Sequence, residues 1–228
     1  AEKWNLSRED LDEFALSSHQ KAIAAVEGKH FDREILPVQA KNAEGKTDMI
    51  YVDEGIRYDA NIEALAGLNP ISEGGVITAG NASQITDGAA AVMVCNDKGL
   101  KKIKTDPRAR IVAISVVGDD PVMMLGGPIP ASHKVLKSAN LAIEDINLYE
   151  INEAFAPVPL AWAIELNAER EKLNVNGGAM ALGHPLGATG AKLMTTLLHE
   201  LERKKGKYGL QAICEGGGTA NAIIIERI

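Results

Sequence analysis

The sequence predicts a layered α/β fold, and three observations lead to that prediction. Hydrophobic residues make up 46% of the chain but aromatic residues only 4%, and such small aliphatic side chains suit helices packed on a sheet. From Gly75 onward, short apolar runs alternate with segments of helical periodicity. At 228 residues, the chain is long enough to bury a sizeable core in one large or two modest domains.

Residues 1–74 are more polar and charged than the rest. A helix is predicted from Ser7, which forms a capping-box-like pair with Asp10, to Gly28. Residues 31–70 mix short extended pieces, such as 34–38, with charge-rich turns. This stretch is too polar to be the core of a sheet, so we expect an excursion from the main body.

The alternating part begins with three predicted elements. Residues 75–78 predict a short strand, and residues 82–87 predict the beginning of a helix. Residues 88–95 form a continuous apolar run, which is typical of a strand buried on both faces. Cys95 ends that run and is therefore expected in the core.

The second half of the chain predicts a β-α-β-α-β-α-β-β unit. Its last two strands, 210–214 and 220–225, are joined by the triple glycine 216–218 as a hairpin. The preceding elements of the unit are a strand at 110–117, a helix beginning at 130–132, a strand at 146–151, a helix at 153–166, a strand at 174–181 and a helix at 188–202. A further helix is predicted at 99–104, before the unit.

Composition and charge exclude several classes of function. A formal net charge of −7 argues against nucleic acid as a partner, and no apolar stretch is long enough for a membrane span. Two cysteines without a secretion signal predict a reduced, cytoplasmic protein, and the lack of an initiating Met predicts a piece of something longer. None of the five histidines has the spacing of a zinc site, so no metal is expected.

Two glycine-rich stretches each carry one residue that can transfer protons. His184 lies within 183–190, and Cys214 begins 214–219; glycine lets the backbone approach a ligand closely. Alone, the histidine is explained as a turn residue and the cysteine as a small core side chain. Together they make a catalytic interpretation as reasonable as a structural one.

Asparagines mark further junctions. Asn152 stands where a predicted strand runs into a helix, where it either caps the helix or meets a ligand. Asn174 and Asn176 lead into His184. Because strand-helix junctions collect at one edge of a sheet, we expect these carboxamides to gather there with the imidazole and the Cys214 thiol.

Taken in order, these residues resemble the thiolases, the acetyl-CoA acyltransferase family. The resemblance covers essentially the whole chain at family spacing. It rests on residues 78–83, 87–91, 126–132, 152–155, 174–179, 183–190, Cys214 and 216–218.

The resemblance implies a thiolase fold, an α/β architecture layered α-β-α-β-α. Residues 1–74 would be the remainder of the loop domain that covers CoA, and 75–105 the closing strand and helix of the N-terminal half. Residues 106–228 would be the complete C-terminal thiolase domain.

The resemblance also implies thiolytic cleavage of 3-ketoacyl-CoA by CoA, or the reverse Claisen condensation of acyl-CoA. In thiolases the histidine matching His184 takes the proton from a nucleophilic cysteine. The cysteine matching Cys214 shuttles a proton to and from the CoA thiol or the substrate α-carbon. Both groups can exchange protons near neutral pH, since a free thiol has a pKa of about 8.5 and imidazole a pKa of about 6.5.

Four more residues acquire roles from the resemblance. Asn152 would hold a water that, with His184, stabilises the enolate or thioester oxyanion, and the Gly216 N–H would contribute to a second oxyanion hole. Ser83 would contact the pantetheine of CoA and Arg57 its adenine, although a surface arginine explains Arg57 equally well. CoA is a substrate in this family, so no cofactor or metal is implied, and the full-length enzyme is expected to be a homo-oligomer, a dimer or tetramer.

One family motif is absent from these residues. Thiolases carry the nucleophilic cysteine in a Cys-Gly-Ser-Gly type motif, and neither Cys95 nor Cys214 fits it. We therefore expect this chain alone to be unable to form the acyl-enzyme, to expose apolar surface and to self-associate. Glu215 stands where an apolar residue is common, and strand alternation should point it away from Cys214.

Three other functions stay open at this point. The first is a non-catalytic CoA-binding or assembly fragment that docks with a separately encoded half. The second is a condensing enzyme of the ketoacyl synthase type, which uses a second histidine where Cys214 stands. The third is a Cys-His hydrolase with Cys214 itself as the nucleophile.

Overall fold

A computed structural model of the chain describes residues 1–41 and 44–228, so the sequence predictions for positions 42 and 43 lie outside the described residues. The helices are α1 (Arg8–Glu27), α2 (Ile62–Ala66), α3 (Asp97–Ile103), α4 (Pro128–Ala139), α5 (Pro157–Glu165), α6 (Ala179–Leu182) and α7 (Thr189–Lys204). The strands are β1 (Val38–Lys41), β2 (Thr47–Ile50), β3 (Ala109–Gly118), β4 (Leu148–Ile151), β5 (Tyr208–Glu215) and β6 (Thr219–Arg227).

A mixed four-stranded sheet, in the order β3-β6-β5-β4, organises the second half. β6 pairs antiparallel with β3 and β5, whereas β4 pairs parallel with β5. Helices α4 and α5 cover one face, where the rings of Tyr149 and Trp162 lie 5.1 Å apart in the main cluster of buried side chains. Helix α7 covers the other face of β4 through Leu197 and Leu201. Strands β4 and β5 therefore run between helical layers.

The predicted N-terminal helix is confirmed as α1. The Ser7 side chain accepts a hydrogen bond from the Asp10 backbone N–H, and the Asp10 carboxylate accepts one from the Ser7 backbone N–H. The apolar side of α1, which includes Leu11, packs against α5 and α6 through Leu160 and Met180. This packing ties the polar N-terminal segment to the body of the protein.

The C-terminal hairpin is also confirmed, and several other elements differ only at their ends. β5 and β6 pair from Tyr208 with Glu226 to Glu215 with Thr219, on either side of the triple glycine. The helix predicted from residue 153 begins at Pro157, because a proline ring sits readily in the first turn. The extended piece predicted at 34–38 is wrong except for Val38, and the strands of this region are β1 and β2, which pair antiparallel.

All three elements predicted at 75–95 are wrong. Of residues 75–78 only Thr78 forms an isolated bridge, to Pro70, and residues 83–96 have no regular secondary structure, so 82–87 contain no helix. The apolar run 88–95 is exposed rather than buried, and Cys95 is exposed with it. A strand requires a neighbouring strand for its backbone hydrogen bonds, and no such neighbour lies among the described residues.

The strand predicted at 174–181 is also wrong. Residues 179–182 form the single helical turn α6, and Asn174 uses its side-chain amide as a strand would use its backbone. That amide donates to the Ile151 carbonyl and accepts from the Ile151 N–H, each at 2.9 Å. The side chain thereby extends the edge of β4 without a fifth strand.

No helix in the described ranges is both long enough and apolar enough to cross a membrane.

The exposed apolar residues of 85–94 predict self-association. Met93 is 76% exposed and Val94 69% exposed, and backbone outside any sheet beside exposed apolar side chains favours association between chains. Light scattering should show particle mass increasing with protein concentration, and the double substitution Met93→Lys, Val94→Lys should reduce it. Val122→Lys, at a residue 90% exposed elsewhere, is the matched control. A monodisperse monomer at all concentrations contradicts the prediction.

Candidate active site

The fold brings together three of the predicted residues: Asn152, His184 and Cys214. Asn152 directly follows β4, and its backbone N–H donates to the Ala212 carbonyl of β5 at 3.0 Å. Cys214 lies near the end of β5, and His184 lies in the loop between α6 and α7. All three side chains therefore lie beyond the same end of the parallel pair β4–β5, where ligands meet α/β sheets.

The Asn152 side-chain amide connects the other two residues. Its Nδ2 lies 3.3 Å from Nε2 of His184. The same side chain hydrogen-bonds to Cys214, and this bond acts to lower the pKa of the thiol, against the effect of burial. Asn152 is 1% exposed, yet its Oδ1 has no partner among the described residues. An unpaired buried acceptor is costly, so this oxygen is available to a donor from a ligand or water.

Thr189 determines which nitrogen of His184 carries the proton. The Thr189 hydroxyl donates to the Pro185 carbonyl at 3.0 Å, so it accepts from Nδ1 of His184 at 2.6 Å. Nδ1 therefore bears the hydrogen, and Nε2 presents its lone pair to Asn152. Sequence reasoning missed Thr189, which is 2% exposed; its spacing five residues after His184 was the available signal.

A glycine lets the His184 loop pack closely. Gly183 has a φ of 81°, and a Cβ there would lie 2.3 Å from Oγ1 of Thr86. A side chain at position 183 would thus both strain the backbone and displace the segment beside it. The glycine before His184 is required by this contact.

Burial shifts the two titratable groups in opposite directions. Desolvation raises the pKa of Cys214 to about 11. Desolvation, assisted by the positive charge of Lys192, lowers the pKa of His184. Each shift favours the uncharged form, so the thiol and the imidazole are both neutral near pH 7.

Glu215 contributes least to the raised pKa of Cys214. Its carboxylate accepts hydrogen bonds from Thr219 at 3.0 Å and from Asn221 at 2.6 Å. Thr219 pairs with Glu215 itself and Asn221 with Ile213 across the hairpin. The carboxylate thus occupies the face of β5 opposite Cys214, as the pleat requires.

Glu153, the residue after Asn152, stabilises the backbone that carries the site. It is 1% exposed, and its carboxylate accepts hydrogen bonds from Ser18 of α1 at 2.8 Å, from Asn174 at 2.9 Å and from the backbone of Met180 at 3.1 Å. A Cβ on Gly178 would lie 2.1 Å from this carboxyl group. Sequence reasoning noted Glu153 only as part of a motif and missed its structural role.

Two of the predicted carboxamides do not join the site. Asn174 is engaged with Ile151 and Glu153. Oδ1 of Asn176 lies 3.0 Å from Nδ1 of His30, and Nδ2 of Asn176 donates to the Glu200 carboxylate at 3.1 Å. Both are buried structural residues, because side-chain amides here replace backbone pairing that an irregular loop lacks.

The remaining predicted residues lie around the trio. Gly216 follows Glu215 in an exposed turn, and a Cβ there would meet no atom within 4 Å. The Ser83 backbone N–H donates to the Ala154 carbonyl at 3.0 Å, two residues beyond Asn152. Arg57 is exposed, with its backbone N–H held by Nδ1 of the buried His19 at 3.1 Å.

The arrangement can accept, hold and donate protons next to an unpaired amide oxygen. Nε2 of His184 is a base, Cys214 is a neutral acid, and Asn152 touches both. Among the described residues, no group of three or more His, Cys, Asp or Glu side chains could hold a metal ion.

Comparisons with known proteins place this geometry in a family. The sequence profile described as "Thiolase, C-terminal domain" matches residues 105–227, and that described as "Thiolase, N-terminal domain" matches residues 1–98. A steroid 3-ketoacyl-CoA thiolase of Mycobacterium tuberculosis is 54% identical over 228 residues, which are 100% of this chain and 54% of the relative. The mitochondrial 3-ketoacyl-CoA thiolase of Bos taurus is 45% identical, over 99% of this chain and 57% of its own length.

Solved structures agree with the sequence comparisons. The acetyl-CoA acetyltransferase of Bacillus anthracis superposes with a TM-score of 0.95 at 43% identity, covering 100% of this chain and 58% of that one. Human mitochondrial 3-ketoacyl-CoA thiolase in complex with CoA superposes with a TM-score of 0.92 at 42% identity, covering 100% and 57%. The predicted thiolase fold is confirmed, and the chain spans a little over half the length of these proteins.

The raised pKa of Cys214 predicts slow, strongly pH-dependent alkylation. In a Cys95→Ala variant, the iodoacetamide rate at Cys214 should keep rising above pH 9, and Glu215→Gln should move the profile by much less than one unit. The native thiol holds a proton that the unfolded thiol loses from about pH 8.5. Its contribution to stability is therefore full below about pH 8.5 and is lost as pH rises through about 11. A midpoint near 8.5, or a downward shift of about a unit in Glu215→Gln, contradicts this account.

Thr189 should control the tautomer of His184. Thr189→Val removes the acceptor of the Nδ1 proton and the donor to Pro185 while keeping the shape, and should destabilise the fold by about 1 to 2 kcal/mol. Long-range ¹H–¹⁵N spectra should show His184 changing from the Nδ1–H form to a mixture, whereas Thr189→Ser should retain the original spectrum. An unchanged His184 spectrum in Thr189→Val excludes this role.

Proposed function

The chain belongs to the thiolase family, and from that premise we propose that it carries the acid–base part of a thiolase acyltransferase site. The reaction is thiolytic cleavage of 3-ketoacyl-CoA by CoA, or the reverse Claisen condensation. The observation that carries this proposal is the contact of one amide, that of Asn152, with both Nε2 of His184 and the thiol of Cys214.

His184 serves as the base that takes the proton from the nucleophilic cysteine. Its Nε2 carries the lone pair, because Nδ1–H is engaged with Thr189. Its lowered pKa keeps the imidazole neutral and ready to accept a proton at physiological pH. The nucleophilic cysteine itself is not among these 228 residues.

Cys214 serves as the proton shuttle. When the carbon–carbon bond of the 3-ketoacyl thioester breaks, the electron pair stays on the α-carbon of the leaving thioester, and the Cys214 S–H supplies the proton. The resulting thiolate then takes the proton of the incoming CoA thiol, which restores the resting state. A pKa of about 11 suits a group that must stay protonated until a strongly basic carbanion forms.

Two sets of donors stabilise the oxyanions. Once His184 has taken the proton of the nucleophilic cysteine, its Nε2–H acts with a water on the Asn152 side chain on the enolate or thioester oxygen. The free, buried Oδ1 of Asn152 supports such a water. The Gly216 N–H, on an exposed turn with open space beside it, serves the second oxyanion. Each donor of this kind can contribute on the order of 3 kcal/mol to the transition state.

CoA binds along the segments that carry Ser83 and Arg57. Ser83 is suited to the pantetheine arm because its backbone is bonded to the strand-to-helix loop that begins at Asn152. Arg57 is suited to the adenine because it is exposed while its backbone is anchored on His19. A solved relative named as a complex with CoA supports the same ligand class.

The proposed function also covers the domains, the assembly and the compartment of the protein. Residues 1–74 belong to the loop domain, 75–105 close the N-terminal half, and 106–228 form the C-terminal domain. The protein works as a homo-oligomer in the cytoplasm, without a cofactor. Two free cysteines fit a reducing compartment, and the exposed apolar run 88–95 fits burial against another part of an assembly.

The hydrolase alternative is disfavoured by the same pKa. At pH 7 a thiol with a pKa of about 11 is thiolate in roughly one molecule in ten thousand. Reactive cysteines in hydrolases have depressed pKa values instead. Intact mass measurement after incubation with an acyl-CoA should therefore show no adduct on Cys214.

Proton exchange on acetyl-CoA tests the acid–base assignment without the missing nucleophile. In deuterated water the chain should accelerate exchange of the acetyl methyl protons, because enolisation needs a base and a stabilised oxyanion. Cys214→Ala, His184→Ala and Asn152→Ala should each reduce the acceleration tenfold or more. Cys95→Ala, at the exposed cysteine, is the matched control and should match the unsubstituted chain. Exchange no faster than in buffer, or unaffected by Cys214→Ala, refutes the proposed function.

A further inference from the structure

Residues 82–88 run between two parts of the site. Ala82 forms a bridge with Phe155, just after Asn152. Further along, Thr86 contacts Gly183, and Gly88 lies against Pro185. The segment therefore follows the His184 loop on one side and the loop after Asn152 on the other.

Gln84 makes the most connections within this segment. Its backbone N–H lies 3.3 Å from the Ala179 carbonyl, and its own carbonyl accepts the His184 backbone N–H at 3.0 Å. Its side-chain Nε2 donates to the Gly55 carbonyl at 2.8 Å and to the Met180 carbonyl at 2.6 Å. One residue thus holds His184, α6 and the segment two residues before Arg57.

The chemistry of these contacts requires an amide. A primary amide nitrogen carries two hydrogens, and here each is donated to a backbone carbonyl from a different segment. A carboxylate of the same length has no hydrogen to donate and would repel both carbonyls. An apolar side chain would leave both carbonyls unpaired.

The contact with Gly55 is tight. A Cβ at position 55 would lie 2.8 Å from Oε1 of Gln84 and 2.9 Å from the Ala181 carbonyl. Movement of the 53–57 segment is therefore transmitted to Gln84 and α6, because neither side has free space to absorb it.

We propose that Gln84 is a positioning residue that couples CoA binding at the Arg57 segment to the orientation of His184. CoA binding shifts the 53–57 segment, the Gly55 carbonyl holds the Gln84 amide, and the same amide holds α6 and the loop that leads to His184. The inference rests on the proposed function, since it assumes that Arg57 and His184 act on the same ligand. Coupling of this kind is reciprocal between the two sites.

The test compares CoA titrations of the ¹⁵N-histidine-labelled full chain and its variants. In the unsubstituted chain, CoA should shift the His184 ring-nitrogen signals. In Gln84→Leu, which keeps the volume, CoA should bind about five- to tenfold more weakly and leave the His184 signals in place. Gln20→Ala, at an exposed residue of α1, is the control and should behave like the unsubstituted chain. A CoA-induced shift of His184 in Gln84→Leu equal to that of the unsubstituted chain overturns the proposal.

A second measurement needs no variant and covers the case in which Gln84→Leu does not fold. Amide hydrogen exchange of the unsubstituted chain should show that CoA protects residues 55–57 and 180–184 together. Protection limited to residues 55–57 overturns the coupling even when CoA binds. If the chain fails to accelerate acetyl-CoA exchange, the proposed function fails instead, so the two failures are distinguishable.

Discussion

The buried carboxylate of Glu153 is the constraint on which the site depends. From the loop after β4 it accepts hydrogen bonds from Ser18 of α1, from Asn174 in the loop before α6 and from the backbone of Met180 in α6. Burial raises the pKa of Glu153, and these hydrogen bonds act against that rise. A carboxylate so placed is tolerated only while its donors remain. The backbone at positions 152 and 153 is therefore held rigidly, and Asn152 is aimed by its neighbour's contacts.

The sequence predicts the elements whose signals are local. The capping box of Ser7 and Asp10 and the glycines between β5 and β6 determine a helix start and a hairpin through contacts within a few residues. Asn152, His184 and Cys214 could be proposed for a related reason: each stands at a junction that local pattern reveals. That their side chains meet at Asn152 follows from the parallel pairing of β4 and β5, which no local pattern contains.

The sequence predictions are wrong, or miss a residue, where contacts with residues distant in the sequence determine the structure. The apolar run 88–95 has strand composition, but composition supplies no partner for its backbone, and the segment lies exposed. Asn174 looks like the start of a strand, yet its side chain replaces a strand's hydrogen bonds. Thr189 and Gln84 act through contacts with His184, one through its ring and one through its backbone. A threonine or a glutamine does not by itself predict such a contact from the sequence.

The opposite pKa shifts of Cys214 and His184 decide the resting state of the site. Burial raises the pKa of the thiol to about 11 and lowers that of the imidazole below 6.5. Moving the proton from sulfur to nitrogen is therefore unfavourable in the resting site, because burial disfavours both charged forms. The pair rests as neutral thiol and neutral imidazole, unlike the thiolate–imidazolium pair of a cysteine nucleophile. In the proposed reaction Cys214 consequently exchanges its proton with substrate atoms and His184 with the nucleophilic cysteine, and the two groups do not exchange a proton with each other. One site can thus hold an acid and a base, both in contact with Asn152.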